Sequence, residues 1–181
     1  SVAAAGPRIL APDGRPQSSI YTAPGRVGPL LELLGAQRLA RSFGVTRRLP
    51  DARTEVAALQ GSCLVLSMEA WKEVGAFDEG FFLYHEETDW CLRARDRGWL
   101  VIYDPSVTAM HEGGVDIPIG REEVYFRSLL RLVEKRSDPA DAEAFRRRLA
   151  MTARWAGLLP WNAPRRAGLA AVGGLERPAV R

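Results

Sequence analysis

The chain has 181 residues, 46% of them hydrophobic and 26% charged, and a formal net charge of +3. That is ordinary globular composition at a length of about one domain. No run of about 18 apolar residues exists, which excludes a transmembrane helix. The opening Ser1-Val2-Ala3-Ala4-Ala5-Gly6-Pro7 lacks the basic head and long apolar stretch of a signal peptide. It reads as the middle of a strand, and the expectation is a piece of a longer chain.

Charge is unevenly spread. Residues 1–120 hold 12 basic and 15 acidic side chains, for −3, and residues 121–181 hold 13 and 7, for +6. The basic end can lie against anionic lipid or can simply be a solvated helical face. The two cysteines, Cys63 and Cys91, form neither a metal-ligand spacing nor a disulfide framework. They read as small buried hydrophobes in a reducing compartment.

In chain order, Val2 to Ala5 predicts a strand, and Pro12-Asp13-Gly14-Arg15 a turn. Residues 15–28 read as irregular loop. Leu30, Leu31, Leu34, Leu39 and Phe43 make a partial helical stripe, and residues 44–56 read as polar loop. Ala58 to Leu66 predicts one buried strand. Ser67 stands where a helix N-cap belongs, and Gly75 where the short helix from Met68 to Val74 should stop. A second helix is predicted from Glu86 to Arg97, closed by Gly98. Trp99 to Tyr103 predicts a strand ended by Asp104-Pro105, and Val107 to Met110 a further extended piece leading to His111 and a Gly113-Gly114 loop. The apolar face Val124, Tyr125, Phe126, Leu129, Leu130, Leu132 and Val133 predicts a helix. A second helix follows the break at Asp138-Pro139, with Phe145, Leu149, Thr152 and Ala156 on one side. Beyond Pro160 the Pro, Gly and Arg content predicts fraying. The class is α/β with helices appended at the C-terminal end.

Chemistry concentrates where acidic residues follow the aromatic run Phe81-Phe82-Leu83-Tyr84. Glu86 and Glu87 fall in the first turn of the predicted helix, where carboxylates commonly do no more than complement its dipole. Asp89 can pair with Arg93 at i,i+4, a structural job. Glu87 has Cys91 four residues on and no such partner. A carboxylate unpaired within its helix, beside an aromatic wall, suits general-base work. His111 ends a strand before Glu112-Gly113-Gly114, where backbone can approach a ligand closely. Imidazole suits Mn²⁺, but one histidine does not hold a metal, and nothing before residue 60 supplies an Asp-x-Asp pair. Arg146-Arg147-Arg148 lie on a predicted helix without interleaved aromatics, so nucleic acid is not an expected partner.

Five pieces in order carry a resemblance. They are Gly61-Ser62-Cys63-Leu64-Val65-Leu66-Ser67, Glu73-Val74-Gly75-Ala76-Phe77-Asp78-Glu79-Gly80-Phe81-Phe82, Glu86-Glu87-Thr88-Asp89-Trp90-Cys91-Leu92-Arg93, Gly98-Trp99 and His111-Glu112-Gly113-Gly114. Together they resemble glycosyltransferase family 2, and within it the rhamnosyltransferase-like and galactofuranosyltransferase-like enzymes of bacterial cell-envelope assembly. The resemblance spans roughly residues 1–135. It implies the C-terminal half of a GT-A fold, a Rossmann-like mixed sheet. Residues 1–120 would be the acceptor-side part of the catalytic domain and residues 121–181 a basic helical extension.

The resemblance further implies an inverting transfer of a sugar from a nucleotide-sugar to a cell-envelope glycan or lipid-linked acceptor. A carboxylate base deprotonates the acceptor hydroxyl. Glu87 stands at the position of that base, where the family usually has Asp. Glu86 and Asp89 match flanking acidic positions that contact acceptor or support the helix, and Trp90 falls in the same substrate-binding segment. Gly61 matches a glycine whose backbone lines the sugar pocket. His111 matches a histidine that completes a divalent site for Mn²⁺ or Mg²⁺, whose other ligands would lie outside this chain. The expected location is cytoplasmic, at the inner face of the plasma membrane, with peripheral contact through the basic tail. Without a donor-binding half, the chain is expected to be inactive alone. The alternative is a non-catalytic remnant that binds a partner or membrane.

Overall fold

A computed structural model describes residues 1–21, 28–36, 49–113 and 120–176. They form two compact units. The first holds described residues 1–21, 49–81 and 85–113, and the second holds 28–36, 82–84 and 120–176. A single boundary at residue 120 makes no provision for 28–36 and 82–84, which go with the C-terminal helices.

The first unit is built on strand β1 (Val2–Leu10), whose alanines Ala3 and Ala4 are buried. Small strands follow: β2 (Ile20–Tyr21), β3 (Thr54–Glu55), β4 (Ala58–Leu59) and β5 (Val65–Leu66), then the long β6 (Leu100–Met110). One mixed sheet has the order β3-β6-β1-β5. Strands β1 and β6 run parallel, from Val2 opposite Leu100 to Leu10 opposite Met110. Strand β5 is antiparallel to β1, and β3 antiparallel to β6. A separate pair joins β2 and β4. Helices α2 (Met68–Val74) and α3 (Glu86–Asp96) belong to this unit. The core gathers Ala3, Ala4, Leu59, Ala70, Trp90, Cys91, Val101 and Tyr103.

Several expectations hold. Ser67 caps α2 by accepting from the Ala70 N–H, and Gly75, at φ 87°, closes it by donating to the Trp71 carbonyl. Helix α3 ends at Asp96, just before Gly98 at φ 83°. Cys91 is buried, with its thiol pushed up to about 11 chiefly by that burial, whereas Cys63 is only half-buried.

Two expectations change. Ala58 to Leu66 is not one strand: β4 and β5 pair in different sheets, with a turn at Gly61 between them, and Val65 is exposed. Asp104-Pro105 does not end a strand either. The register jumps from Pro7 opposite Asp104 to Arg8 opposite Thr108, so residues 105–107 form a bulge inside β6. Asp104 Oδ1 accepts from the Ser106 N–H at 3.0 Å and from its hydroxyl at 2.6 Å. The turn chemistry is real, and the sheet absorbs it as a kink because a bulge leaves the unpairable proline nitrogen outside the ladder.

The second unit is helical. It contains α1 (Gly28–Leu33), α4 (Glu122–Arg136), α5 (Pro139–Ala156), a 3-10 helix over Pro160–Arg165, α6 (Arg166–Gly173) and a final 3-10 turn over Gly174–Glu176. The predicted stripe through Leu39 and Phe43 lies outside the described residues. Asp138 caps α5 by accepting from the Asp141 N–H at 2.9 Å, with Pro139 in the first turn, where its missing N–H costs nothing. Leu33, Phe126, Leu129, Phe145, Leu149, Ala153, Leu169 and Val172 form the core.

The predicted fraying beyond Pro160 is overturned up to residue 176. Asn162 Nδ2 donates to the carbonyls of Leu33 and Ala156, each at 3.1 Å. Arg165 donates through Nε to Glu122 Oε1 at 2.9 Å, with 2% of the Arg165 side chain and none of the Glu122 side chain exposed. Proline and glycine content predicts poor local order, but these long-range contacts hold the segment. Among the described residues, six helices and a mixed sheet make the α/β architecture of a GT-A-type domain.

Candidate active site

The proposed catalytic carboxylate sits at the start of α3. The chain reaches it through two consecutive left-handed residues, Tyr84 at φ 69° and His85 at φ 68°. For non-glycine side chains each such residue costs on the order of 1–3 kcal/mol, strain that structures tend to keep at functional sites. The helix then starts with Glu86, Glu87 and Asp89 in its first turn, complementing the positive end of its dipole.

The three acidic residues have separate fates. Asp89 is fully buried, and its Oδ2 accepts from Arg93 Nε at 2.8 Å. The same guanidinium donates to the carbonyls of Val74 at 2.8 Å and Ala76 at 2.7 Å, closing the C-terminal end of α2. Asp89 therefore ties α3 to α2 through Arg93. Trp90 is likewise withdrawn. It has no exposed surface, stacks on Trp71 at 5.9 Å, meets Phe77 edge-on at 6.5 Å, and donates its indole N–H to the Gly75 carbonyl at 2.7 Å. Its area is spent on the core, so the acceptor role read from the motif has no geometric support. Cys91 and Ala94 bury the same side of α3.

Glu87 is different. It is 7% exposed, yet its Oε1 accepts from the backbone N–H of Gly61, itself an exposed residue, at 3.3 Å. A Cβ on Gly61 would stand 3.4 Å from Glu87 Cγ, so the loop backbone lies against the carboxylate. Glu87 Oε2 is buried and has no hydrogen-bond partner among the described residues. The same holds for Glu86 Oε2 and Thr88 Oγ1 beside it, and for Gln60 Oε1 and Ser62 Oγ beside Gly61. Buried polar atoms are ordinarily paired, and the two segments joined by this hydrogen bond carry five without a partner among the described residues.

Burial pushes the Glu87 carboxyl up from 4.5 to about 7, with the charge of Glu86 raising it further and backbone N–H bonds opposing the shift. Near neutral pH the group is poised to gain or lose a proton. His85, 5% exposed, sits with its ring centroid 6.0 Å from that of Tyr21, and burial pulls its imidazole down from 6.5 to about 4. It is neutral at pH 7 and adds no charge to the site.

His111 stands just past the carboxyl ends of the parallel strands β1 and β6, the edge at which open α/β sheets bind ligands. Its N–H donates to the Leu10 carbonyl at 2.9 Å. A residue that sequence reasoning missed holds its ring. Gln17, 4% exposed, donates through Nε2 to the carbonyls of His111 and Gly113, both at 3.0 Å. Carbonyls only accept, which orients the amide and places Oε1 3.1 Å from His111 Nδ1. Nδ1 must then carry a proton, and the neutral ring keeps its lone pair on Nε2. A Cβ at Gly113 would overlap ring Cε1 and stand 2.6 Å from Nε2, so a side chain there would have to push the ring aside. Gln17 lies in a loop without a sequence signal, since only the tertiary fold brings residue 17 to residue 111.

The tautomer suits a metal ligand, and among the described residues no three His, Cys, Asp or Glu side chains gather to hold a cation. Gly114 and the residues up to 119 lie outside the description.

The amino-acid sequence is similar to those of known proteins. A family described as "Glycosyl transferase family group 2" matches residues 16–165. The chain is 34% identical over 112 residues to proteins named N-acetylglucosaminyl-diphospho-decaprenol L-rhamnosyltransferase from two strains of Mycobacterium tuberculosis, covering 60% of this chain and 36% of each relative. It is 30% identical over 113 residues to a protein named low-salt glycan biosynthesis hexosyltransferase Agl10 from Haloferax volcanii, covering 61% of this chain and 33% of the relative. The match thus covers about a third of the length of these curated relatives. The family match spans most of the chain, the sheet and helices have the expected GT-A type, and the chain belongs to glycosyltransferase family 2.

Proposed function

We propose that this chain is the acceptor-side part of an inverting glycosyltransferase in which Glu87 is the general base. The observation that carries the reading is the Glu87 carboxylate itself: buried, raised to about 7, held on one oxygen by the Gly61 N–H, and unpartnered on the other. A base with a pKa near the working pH combines the right protonation state with adequate proton affinity. In the proposed step, Glu87 Oε2 takes the proton of an acceptor hydroxyl. The hydroxyl oxygen forms a bond to the anomeric carbon of the donor sugar from the face opposite the leaving group. The bond to the nucleoside diphosphate breaks and its electron pair leaves with the phosphate oxygen. Glu86, half-buried with one unpartnered oxygen, would accept a hydrogen bond from the acceptor, and the Gly61 backbone would border the sugar.

The names of the relatives support the substrate classes. One acts on a decaprenol-linked diphospho-sugar and another is a hexosyltransferase of glycan biosynthesis. The same classes are proposed here: a nucleotide-sugar donor and a glycan or lipid-linked acceptor, handled at the cytoplasmic face of a membrane. The family generally depends on a divalent metal. His111 would lend one nitrogen to such a cation, with its remaining ligands outside the described residues, and no step above is routed through it. Donor binding is proposed to need a segment that the described residues do not contain, so this stretch alone would not turn over.

The test is Glu87→Gln in a protein that also carries the donor-binding segment. Turnover should fall by roughly 10²–10⁴, the usual worth of a positioned base, with donor affinity unchanged. Turnover equal to the parent's would remove Glu87 from the role. The second reading, a membrane-binding module, is favoured by the exposed apolar side chains of α5 and of the turn and 3-10 helix after it.

A further inference from the structure

Helix α5 has two apolar faces, and the core uses only one. Phe145, Leu149, Ala153 and Ala156 point inward and are buried. On the other side Met151 is 54% exposed, Trp155 68%, Leu158 72%, and in the following 3-10 helix Trp161 is 63% exposed. Of the other indoles, Trp90 has no exposed surface, Trp99 only 9%, and Trp71 is half-buried. Four large exposed hydrophobics within residues 151–161 are a patch, unlike the single exposed apolar residues that any surface carries.

The patch has a defined geometry. Met151 and Trp155 are one helical turn apart. The Leu158 N–H donates to the Trp155 carbonyl at 3.0 Å, an i,i+3 turn that continues the helical path past Trp155. Arginines surround it. Exposed Arg147 and Arg148 line one surface depression with Met151, Ala140, Glu143 and Ala144. Arg154 and Arg166 are exposed alongside. Residues 139–176 carry six arginines and three acidic side chains.

We propose that this face of α5 and the turn after it is a peripheral binding surface for an anionic lipid bilayer. Indoles prefer the level of the lipid headgroups, where the ring meets hydrocarbon and the N–H meets water. Leucine and methionine enter the acyl boundary, and arginines reach lipid phosphates at the rim. Among the described residues no helix is long and apolar enough to cross a membrane, so this face lies on the surface. Arg147 keeps an exposed ion pair with Glu143 at 2.9 Å, and the excess of arginine over acidic side chains around an apolar centre complements the charge of an anionic bilayer. The proposal specifies the membrane contact of the reading above and rests on it for biological purpose, while its physical basis is the face alone.

The test uses the whole chain and vesicles of phosphatidylcholine with and without phosphatidylglycerol. Binding should require phosphatidylglycerol, weaken with salt, and shift tryptophan emission to the blue. Trp155→Ser/Leu158→Ser should bind roughly tenfold more weakly or worse, because it removes the inserted side chains. Trp161 stays in place because its N–H donates to the Leu34 carbonyl. Arg147→Glu/Arg148→Glu should lose the lipid-charge preference and bind at least about tenfold more weakly. Unchanged melting temperatures would show that both variants fold. Vesicle binding equal to the parent's in both folded variants, no binding at low salt, or a dimer abolished by the same substitutions without lipid binding would each overturn the proposal. Vesicle binding with a Glu87→Gln enzyme of full turnover would leave this surface standing and remove the catalytic reading. The reverse pair of results would do the opposite.

Discussion

Exposed Gly61 donates its backbone N–H to Oε1 of Glu87 at 3.3 Å, so a carboxylate that is 7% exposed lies directly beneath a surface loop. That single relationship underlies the base role proposed for Glu87. Burial raises its proton affinity, and the loop above it is exposed. It also makes the site sensitive to pH in ways that stability measurements can read.

Glu87 and His85 should work against each other in the pH dependence of folding. The folded pKa of Glu87 lies above its unfolded value, so its stabilisation is present below pH 4.5 and is lost as pH rises through about 7. The folded pKa of His85 lies below its unfolded value, so its stabilisation is present above pH 6.5 and is lost as pH falls through about 4. Each is worth roughly 3 kcal/mol, and over the shared window they nearly cancel. Denaturant unfolding at a series of pH values should therefore show a flat profile for the parent. Glu87→Gln should lose stability toward pH 4. His85→Asn, which keeps a residue that tolerates φ 68°, should lose stability toward pH 7. Two variant profiles parallel to the parent's would refute the assignment.

Gln17 should decide the tautomer of His111. Nitrogen-15 NMR of the parent should show the Nδ1–H form. Gln17→Leu removes the acceptor at Nδ1 and leaves the His111 and Gly113 carbonyls without their donor. The ring should shift toward the Nε2–H form, with about 1–3 kcal/mol of lost stability. Gly113→Ala should displace the ring by direct overlap. An unchanged tautomer in Gln17→Leu would show that the amide does not hold it.

The buried pair Glu122–Arg165 should anchor the helical unit. Glu122 Oε2 also accepts from the Gly120 N–H at 2.8 Å, and a Cβ on Gly168 would overlap that oxygen. Glu122→Gln leaves a guanidinium buried without its counter-charge, which costs about 3–5 kcal/mol. Gly168→Ala should also destabilise. Thermal melts check both, and a Glu122→Gln protein as stable as the parent would show that the pair contributes nothing net.

How far the sequence could be read follows the range of the interactions. The Ser67 cap, the Gly75 stop, the start of α3 at Glu86 and the Asp138-Pro139 entry to α5 are all legible, because a cap is a contract among residues within one turn. Asp89 with Arg93 was readable for the same reason, being one helical turn apart. The burial of Trp90 was not, because its indole is covered by Trp71, Phe77 and the Gly75 carbonyl, and motif position says nothing of what packs on a side chain.

The sequence by itself determined the family, the α/β class, the carboxylate at position 87 and the histidine at position 111, since these rest on residue type, short spacing and motif order. Tertiary structure alone decided that Glu87 is buried beneath Gly61, 26 residues away in the chain, and carries a pKa of about 7. It alone brought Gln17 to His111 across 94 residues and Arg165 to Glu122 across 43. A pKa depends on solvent exclusion and on neighbours in space, a tautomer on one hydrogen bond, and an ordered tail on one buried ion pair, and none of these is a property of local sequence.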